Sequence, residues 1–429
     1  MLCRRILVFT NLFLIFSMPV NAYLDPGTGS MITYFIISIF MTSVFYIKEF
    51  YFRLTSIITT RKIGVTSADL TDVEILFYSE GAHYWNVFWP IIRSLECENV
   101  KCAYYTSDSN DNGLKYKSKN LVTKYIGRGV RSNTILNTLK VKIVVMTTTQ
   151  IDVMYLKRSK HVKHYVHVVH SPIDAMYYNK FAFDYFDTIM CSGFYQIDSI
   201  RQLEKLRGLD KKNLLKTGLT YYDIMVENKT LNSARGVGGE LTVMVAPTWG
   251  DKGMLTRFGV RPLKILLEYG YNVIFRPHPQ MYISQKEMIK NIELELLPYS
   301  NLLIDTSSSA VGAMSKSDIL ISDISGIIFD FFFIYERPVI TIEGKLDKRG
   351  FEAEDIQKEA WEIEILSEVS TIVSYKEINK LKEKIEDSIN KKVKEKAVEL
   401  RSKAVYNFSR SGSVAADQLI NLTRGISYD

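Results

Sequence analysis

From residue 65 onward the chain alternates short β-branched runs with longer amphipathic stretches, and that alternation admits few folds. Short apolar runs without a polar face suit strands covered on both sides, and such strands are parallel and joined by crossover helices. In the first half the strand candidates are Val73–Tyr78, Val100–Tyr105, Val141–Met146, Val166–Val169 and Thr188–Cys191. Between Asn228 and Gly239 the sequence NKTLNSARGVGG loses its apolar pattern and gathers glycines, which marks a linker. A second series follows, with strands at Thr242–Ala246, Asn272–Phe275, Leu302–Ile304, Ile319–Ser322 and Val339–Ile342 and helices near 256–269, 284–295, 308–316 and 327–334. The pattern predicts an α/β chain of two Rossmann-like domains, 63–228 and 240–429, facing a cleft. Residues 376–400, rich in Lys and Glu, read as a surface helix whose charges are a solvated face.

Composition supports a globular body and narrows its partners. With 429 residues, 47% hydrophobic and 24% charged, the chain is neither disordered nor a small disulfide-stapled scaffold. Residues 1–62 carry six basic side chains against two acidic ones, so of the net charge of +7 only +3 belongs to the rest. That disfavours a nucleic-acid-binding body. Cys3, Cys97, Cys102 and Cys191 show no CxxC spacing, so no zinc site or disulfide framework is indicated.

The front end reads as a membrane element. Arg4-Arg5, the apolar run Ile6 to Phe16 and Val20-Asn21-Ala22 make 1–22 a signal peptide or a first membrane span. Residues 23–62 then hold a short external turn, Asp25 to Ser30, an apolar run from Met31 to Ile47 just long enough to span, and a basic flank with Lys48, Arg53, Arg61 and Lys62. Basic residues on both flanks place both in the cytoplasm. The expectation is a protein of the inner (plasma) membrane with a cytoplasmic catalytic body; the alternative is an exported body behind a cleaved signal.

Ligands of open α/β sheets gather at the carboxyl ends of strands, near helix N-termini that favour anions. In the second half three strand ends carry polar residues: Ala246-Pro247-Thr248-Trp249, Arg276-Pro277-His278-Pro279 and Ser322-Asp323-Ile324-Ser325-Gly326. Arg276 and His278 can donate to phosphate oxygens, and Ser325-Gly326 offers a hydroxyl and free backbone N–H groups, so the expected ligand is a phosphate or diphosphate. The first half has His161, His164, His167 and His170 at spacings of three. In a strand, alternation sends His164 and His170 to one face and His167 to the other, which argues against one metal cage. His170 ends the strand and precedes Ser171-Pro172, so it is the candidate general base. Asp174 is placed either to orient its ring or to cap a helix.

Taken together, His170-Ser171-Pro172, Phe183-Asp184-Tyr185-Phe186-Asp187, Cys191-Ser192-Gly193, Thr217-Gly218 with Tyr222-Asp223, Ala246-Pro247-Thr248-Trp249, Phe275-Arg276-Pro277-His278-Pro279 and Ser322-Asp323-Ile324-Ser325-Gly326 with Phe329-Asp330 resemble the CDP-glycerol glycerophosphotransferase family. These enzymes build teichoic-acid-like polymers on a membrane lipid. The resemblance covers about residues 140–345. It implies a GT-B fold and transfer of a polyol phosphate from a CDP-activated donor to a hydroxyl of a lipid-linked or glycan acceptor, with CMP released and no metal or cofactor. By the same resemblance His170 is the base, His278 and Arg276 stabilise the diphosphate, and Thr248, Ser322, Asp323, Ser325 and Gly326 bind the donor. The chain departs from the family pattern after His170, where Ser171 and Ala175 replace a glycine and a lysine, and at Gly250 and Gly326. Two rivals remain from the sequence: a GT-B sugar-nucleotide glycosyltransferase, and a non-catalytic membrane-anchored assembly subunit.

Overall fold

The structure, a computed structural model, describes residues 35, 37–40, 42–44, 46–47, 70, 72–231, 241–307, 309–344 and 348–426. The chain divides into two units, Met1–Ile63 and Gly64–Asp429. In the first, the described residues between 35 and 47 are helical, with Phe35, Ile37, Ile39, Phe40, Val44, Tyr46 and Ile47 exposed. No helix among the described residues is long and apolar enough to cross a membrane. The expected segment 1–22, the turn 25–30 and the basic flank 48–62 lie outside the described residues, as does part of the run 31–47.

The second unit holds two parallel sheets. The first comprises β1 (Ile75–Ser79), β2 (Cys102–Thr106), β3 (Leu121–Tyr125), β4 (Ile143–Met146), β5 (His164–Val168), β6 (Thr188–Cys191) and β7 (Asn213–Lys216), in the order β3-β2-β1-β4-β5-β6-β7. The second comprises β8 (Thr242–Val245), β9 (Asn272–Phe275), β10 (Leu302–Ile304), β11 (Ile319–Ser322), β12 (Val339–Ile342) and β13 (Thr371–Val373), in the order β10-β9-β8-β11-β12-β13. Both orders reverse direction beside their first strand, β1 against β4 and β8 against β11. The crevice outside the strand ends at such a reversal is where open α/β sheets take ligands.

The central strands are buried throughout or nearly so because helices cover both faces. Phe77 of β1, for example, meets Phe88 edge to face at 5.6 Å. The strands missing from the sequence reading are β3, β7 and β13, and all three lie at sheet edges with mixed burial. The expected helix at 256–269 is broken into Met254–Phe258 and Arg261–Glu268, and the stretch 376–400 into Tyr375–Lys380, Leu381–Ile389 and Lys394–Ala404. Leu381 and Ile385 are buried, so that stretch is amphipathic rather than wholly solvated.

Six helices matter for the site: α1 (Trp85–Cys97), α2 (Phe194–Arg207), α3 (Thr220–Leu231), α4 (Gly326–Asp330), α5 (Trp361–Glu364) and α6 (Ser411–Gly425). The last differs from the expectation that 240–429 stays with the second sheet. Ala415, Ala416 and Leu419 of α6 are buried in the core of the first sheet. Asp223 of α3 caps its start by accepting from Ser411 N at 3.1 Å and Gly412 N at 2.7 Å. A second return crossing is the segment 350–364. Lys180 N donates to the Gly350 carbonyl, Glu352 accepts from Ala182 N at 2.9 Å, and Arg207 of α2 bridges Asp184, Glu352 and Asp355. Met176 and Leu203 from the first half pack there with Ala353, Ile356 and Ala360 from the second.

Candidate active site

The second-half edge is built around one carboxylate. Asp323, at the end of β11 and 4% exposed, accepts from Thr248 N through Oδ1 and from Met254 N through Oδ2, each at 2.6 Å. It thereby fixes both ends of the loop that follows β8. Burial raises its pKa, and the two amide hydrogen bonds oppose that rise. Gln285 holds the loop from the other side, accepting from Gly250 N at 3.1 Å. Thr248, Asp323, Ser325 and Gly326 all line one cavity of about 600 Å³, which Ile173 and Tyr177 close from the first half.

Ser322 does not reach that cavity. It is fully buried, and its hydroxyl donates to the Ala246 carbonyl at 2.6 Å, so it staples β11 to the end of β8 instead of binding a donor. Arg276 is tied down as well. Its Nη1 pairs with Asp305 at 2.5 Å and donates to Ser307 Oγ at 3.2 Å. Burial pushes Asp305 up, but the bonds from Ser307 and the Arg276 guanidinium win and hold it below the usual carboxylate range. His278 is exposed, with its ring centroid 6.3 Å from that of Trp249, a cavity-lining residue. Its Nδ1 accepts from Gln280 N at 3.1 Å, so the neutral ring carries its proton on Nε2. Desolvation and the charge of Arg276 lower its pKa.

The first-half edge has the opposite character. His170 lies just past β5, its centroid 5.0 Å from Tyr84 and 5.9 Å from Tyr178, both edge-on. Because the strand ends at Val168, the alternation expected from the sequence stops there, and His170 comes within 6.4 Å of His167 instead of facing away from it. His167 is fully buried among Phe183, Phe186 and Tyr178. Its ring nitrogens, His170 Nδ1, Tyr178 Oη, Thr147 Oγ1 and Thr148 Oγ1 make no hydrogen bond of good geometry, although backbone groups of Thr148, Val168 and His170 lie close enough to act weakly on His167, His170 and Tyr178 respectively. Burial, followed by a neighbouring imidazole, lowers His167 to about 3 and His170 to about 4. Both rings are neutral at physiological pH. His164 instead bonds Thr188 Oγ1 at 2.7 Å, and among the described residues no group of His, Cys, Asp and Glu is placed to hold a metal.

Asp174 takes the capping role. Its carboxylate accepts from Met176 N and Trp361 N, both at 3.3 Å. The two edges meet one turn earlier. A Cβ on Gly326 would lie 2.9 Å from Ser171 Oγ, so the residue after His170 touches the start of α4, and only glycine lets it approach so closely.

Sequence reasoning missed His83, Tyr84, Tyr178, Gln285, Asp305 and Glu362. Only His83-Tyr84 carried a usable signal, as polar residues shortly after an apolar strand run.

Residues 196–405 match the model of the CDP-glycerol:poly(glycerophosphate) glycerophosphotransferase family. No curated protein matches the chain by sequence. Among solved structures, the wall teichoic acid polymerase TagF superposes with a TM-score of 0.56 at 16% identity, covering 88% of this chain and 98% of that one. TagF H444N soaked with CDPG gives 0.55 at 15%, over 91% and 98%. The UDP-GlcNAc 2-epimerase of Methanocaldococcus jannaschii, with UDP-GlcNAc and UDP, gives 0.56 at 14%, over 81% and 100%. These likenesses establish a GT-B-like α/β fold. With the family segment supplying Thr248, Asp323, Ser325 and Gly326 around the cavity, the chain is a CDP-glycerol glycerophosphotransferase-like enzyme.

Proposed function

We propose that the cleft transfers glycerol phosphate, or a related polyol phosphate, from a CDP-activated donor to a hydroxyl of a membrane-linked acceptor in the synthesis of a teichoic-acid-like or other surface polymer. One observation carries this reading: the family segment supplies the loops on one side of the cavity, and the turn that follows His170 abuts them. The acceptor hydroxyl attacks the β-phosphorus in line, its proton passes to the neutral imidazole of His170, and the bond to the CMP oxygen breaks. A histidine held near 4 is a weak base, so it takes the proton only as the new P–O bond forms and the hydroxyl acidifies. His278, with its proton on Nε2, and Arg276, oriented by Asp305, receive the charge that grows on the diphosphate.

The exposed apolar side chains of the helical residues between 35 and 47 fit a bilayer-facing segment, and the basic flank after it keeps the body on the cytoplasmic side. Tethering then holds the cleft near a lipid-linked acceptor and raises its effective concentration.

The test is CMP release from CDP-glycerol and CDP-ribitol by detergent-solubilised protein with a lipid-extract acceptor. Release should require acceptor and should fall by about two to four decades in His170→Ala and in His278→Ala. A loss below about threefold removes that histidine from the mechanism, and release of a nucleoside diphosphate instead of CMP overturns the reading.

A further inference from the structure

The wall of the cavity facing the donor loops holds a carboxyl that the reaction above leaves unused. Glu362 of α5 is 2% exposed and lines the cavity beside Ile173, Tyr177 and Phe351. A reciprocal pair of bonds places it: Asp174 N donates to Glu362 Oε2 at 3.1 Å, and Trp361 N donates to Asp174 Oδ2 at 3.3 Å. Trp361 itself is stacked on Tyr195 with centroids 4.0 Å apart and rings 6° from parallel, so the backbone that carries Glu362 is fixed. Among the described residues neither acid is within ion-pair distance of a basic side chain, and besides Asp174 the Glu362 carboxyl feels only its own backbone N–H and the more remote charge of Lys358. A buried, immobilised carboxyl on a ligand cavity with no ion-pair partner is poorly explained as a structural strut alone.

We infer that Glu362 is a specificity-determining residue, its carboxyl hydrogen-bonding a hydroxyl on the polyol end of the donor. The inference rests on the reading of the cavity as the donor site. If the phosphates lie with Thr248, Ser325 and Gly326, the polyol end is left for the wall made by Ile173, Tyr177 and Glu362, beside the turn that follows His170. The charge state fits that task. Burial and then the adjacent Asp174 push Glu362 up to about 8, against a weaker opposing pull from Lys358. The other titratable groups facing it are the Tyr177 and Tyr195 phenols, both pushed further up by burial and by these acids. At neutral pH Glu362 is therefore protonated. With Oε2 accepting from Asp174 N, the proton is carried by the other oxygen, Oε1. A neutral acid both donates to and accepts from hydroxyls, whereas an ionised one would repel a diphosphate held in the same cavity.

The experiment measures binding of CDP, CDP-glycerol and CDP-ribitol to the full chain by titration calorimetry, in the wild type, Glu362→Met and Glu362→Gln, with melting curves to confirm folding. Glutamine keeps an acceptor for Asp174 N and a donor for the cavity, so it should hold the preference for a CDP-polyol over CDP within about threefold. Methionine fills the same volume without either, and should cut that preference by about tenfold or more while leaving CDP affinity unchanged. An equal loss for CDP and CDP-polyol, or no loss in folded Glu362→Met, overturns the inference. Should the methionine variant not fold, infrared difference spectra of the wild type decide: a protonated carboxyl band that shifts with CDP-polyol but not with CDP, and is missing in Glu362→Gln, supports it, and no such band overturns it. Failure of the wild type to bind any cytidine nucleotide would instead overturn the donor-site reading itself.

Discussion

The two strand-end edges that meet at Gly326 and Ser171 solve opposite problems. On the second-half edge nearly every side chain is already committed to a backbone group or an ion: Asp323 to two amides, Gln285 to Gly250, His278 Nδ1 to Gln280, Arg276 to Asp305. On the first-half edge polar atoms of His167, His170, Tyr178, Thr147 and Thr148 are buried without a hydrogen bond of good geometry. The satisfied edge is rigid before any ligand arrives, which suits binding a diphosphate of fixed geometry. The other edge keeps polar atoms buried without well-formed bonds, at a cost of order 1–3 kcal/mol for each group left fully unpaired.

The strongest break of this contrast is at Asp323. Asp323→Ala strips the acceptor from Thr248 N and Met254 N, and leaving buried amides unpaired costs about 1–3 kcal/mol each. Denaturant unfolding should register a loss of about that size, and CDP affinity should fall at least about tenfold as the loop loosens. If the variant binds CDP as tightly as the wild type, the preorganised second edge is not what holds the nucleotide.

Next in size is the response to acid. His167 and His170 titrate near 3 and 4 when folded, well below the ordinary 6.5, so between those values the unfolded chain binds more protons than the folded one. The stability they confer is complete above about 6.5 and is lost as pH falls through the window toward 4, at up to about 1.4 kcal/mol per pH unit for each ring. Melting curves from pH 7 to about 4.5 should show this slope in the wild type, and His167→Phe should remove roughly one ring's share while keeping the aromatic packing. An unchanged slope in that variant would mean that the first edge is already hydrated and its burial is not what keeps the imidazoles neutral.

The same contrast governs what the sequence could tell. Central strands such as β1 and β11 announce themselves because both faces are apolar, whereas β3, with the residues Leu121-Val122-Thr123-Lys124-Tyr125, has half-exposed positions and no run to find. Thr248, Asp323, Ser325 and Gly326 were legible because they follow recognisable strands in a local motif, and the strand-end rule needs nothing more. Asp305, Glu362 and Tyr178 were not, since each matters through a partner far along the chain or across a turn: Asp305 through Arg276, Glu362 through Asp174. Ser322 was misread for a related reason. Its motif is at the site, but strand alternation turns its hydroxyl inward onto Ala246 while its neighbour Asp323 faces the loop.

The smallest expected effect falls where the edges touch. Gly326→Ala places a methyl 2.9 Å from Ser171 Oγ and 3.5 Å from Pro172 Cδ, close enough to push against a short side chain but not against backbone. Stability should fall by about 1 kcal/mol, the low end of what overpacking costs, because the atom that must move is the end of a side chain and not backbone. Turnover is the more sensitive readout: the turn that yields is the one that follows His170, and a shift of the base relative to the phosphorus by even a fraction of an ångström lowers CMP release by about three- to tenfold. Adding Ser171→Gly removes the clashing atom, so if the contact transmits the effect the double variant should recover most of the loss, a coupling that a double-mutant cycle reads directly. Additive losses would mean that the alanine acts within the second edge alone, by disturbing the N–H groups at the start of α4, and that the two edges are positioned independently of this contact.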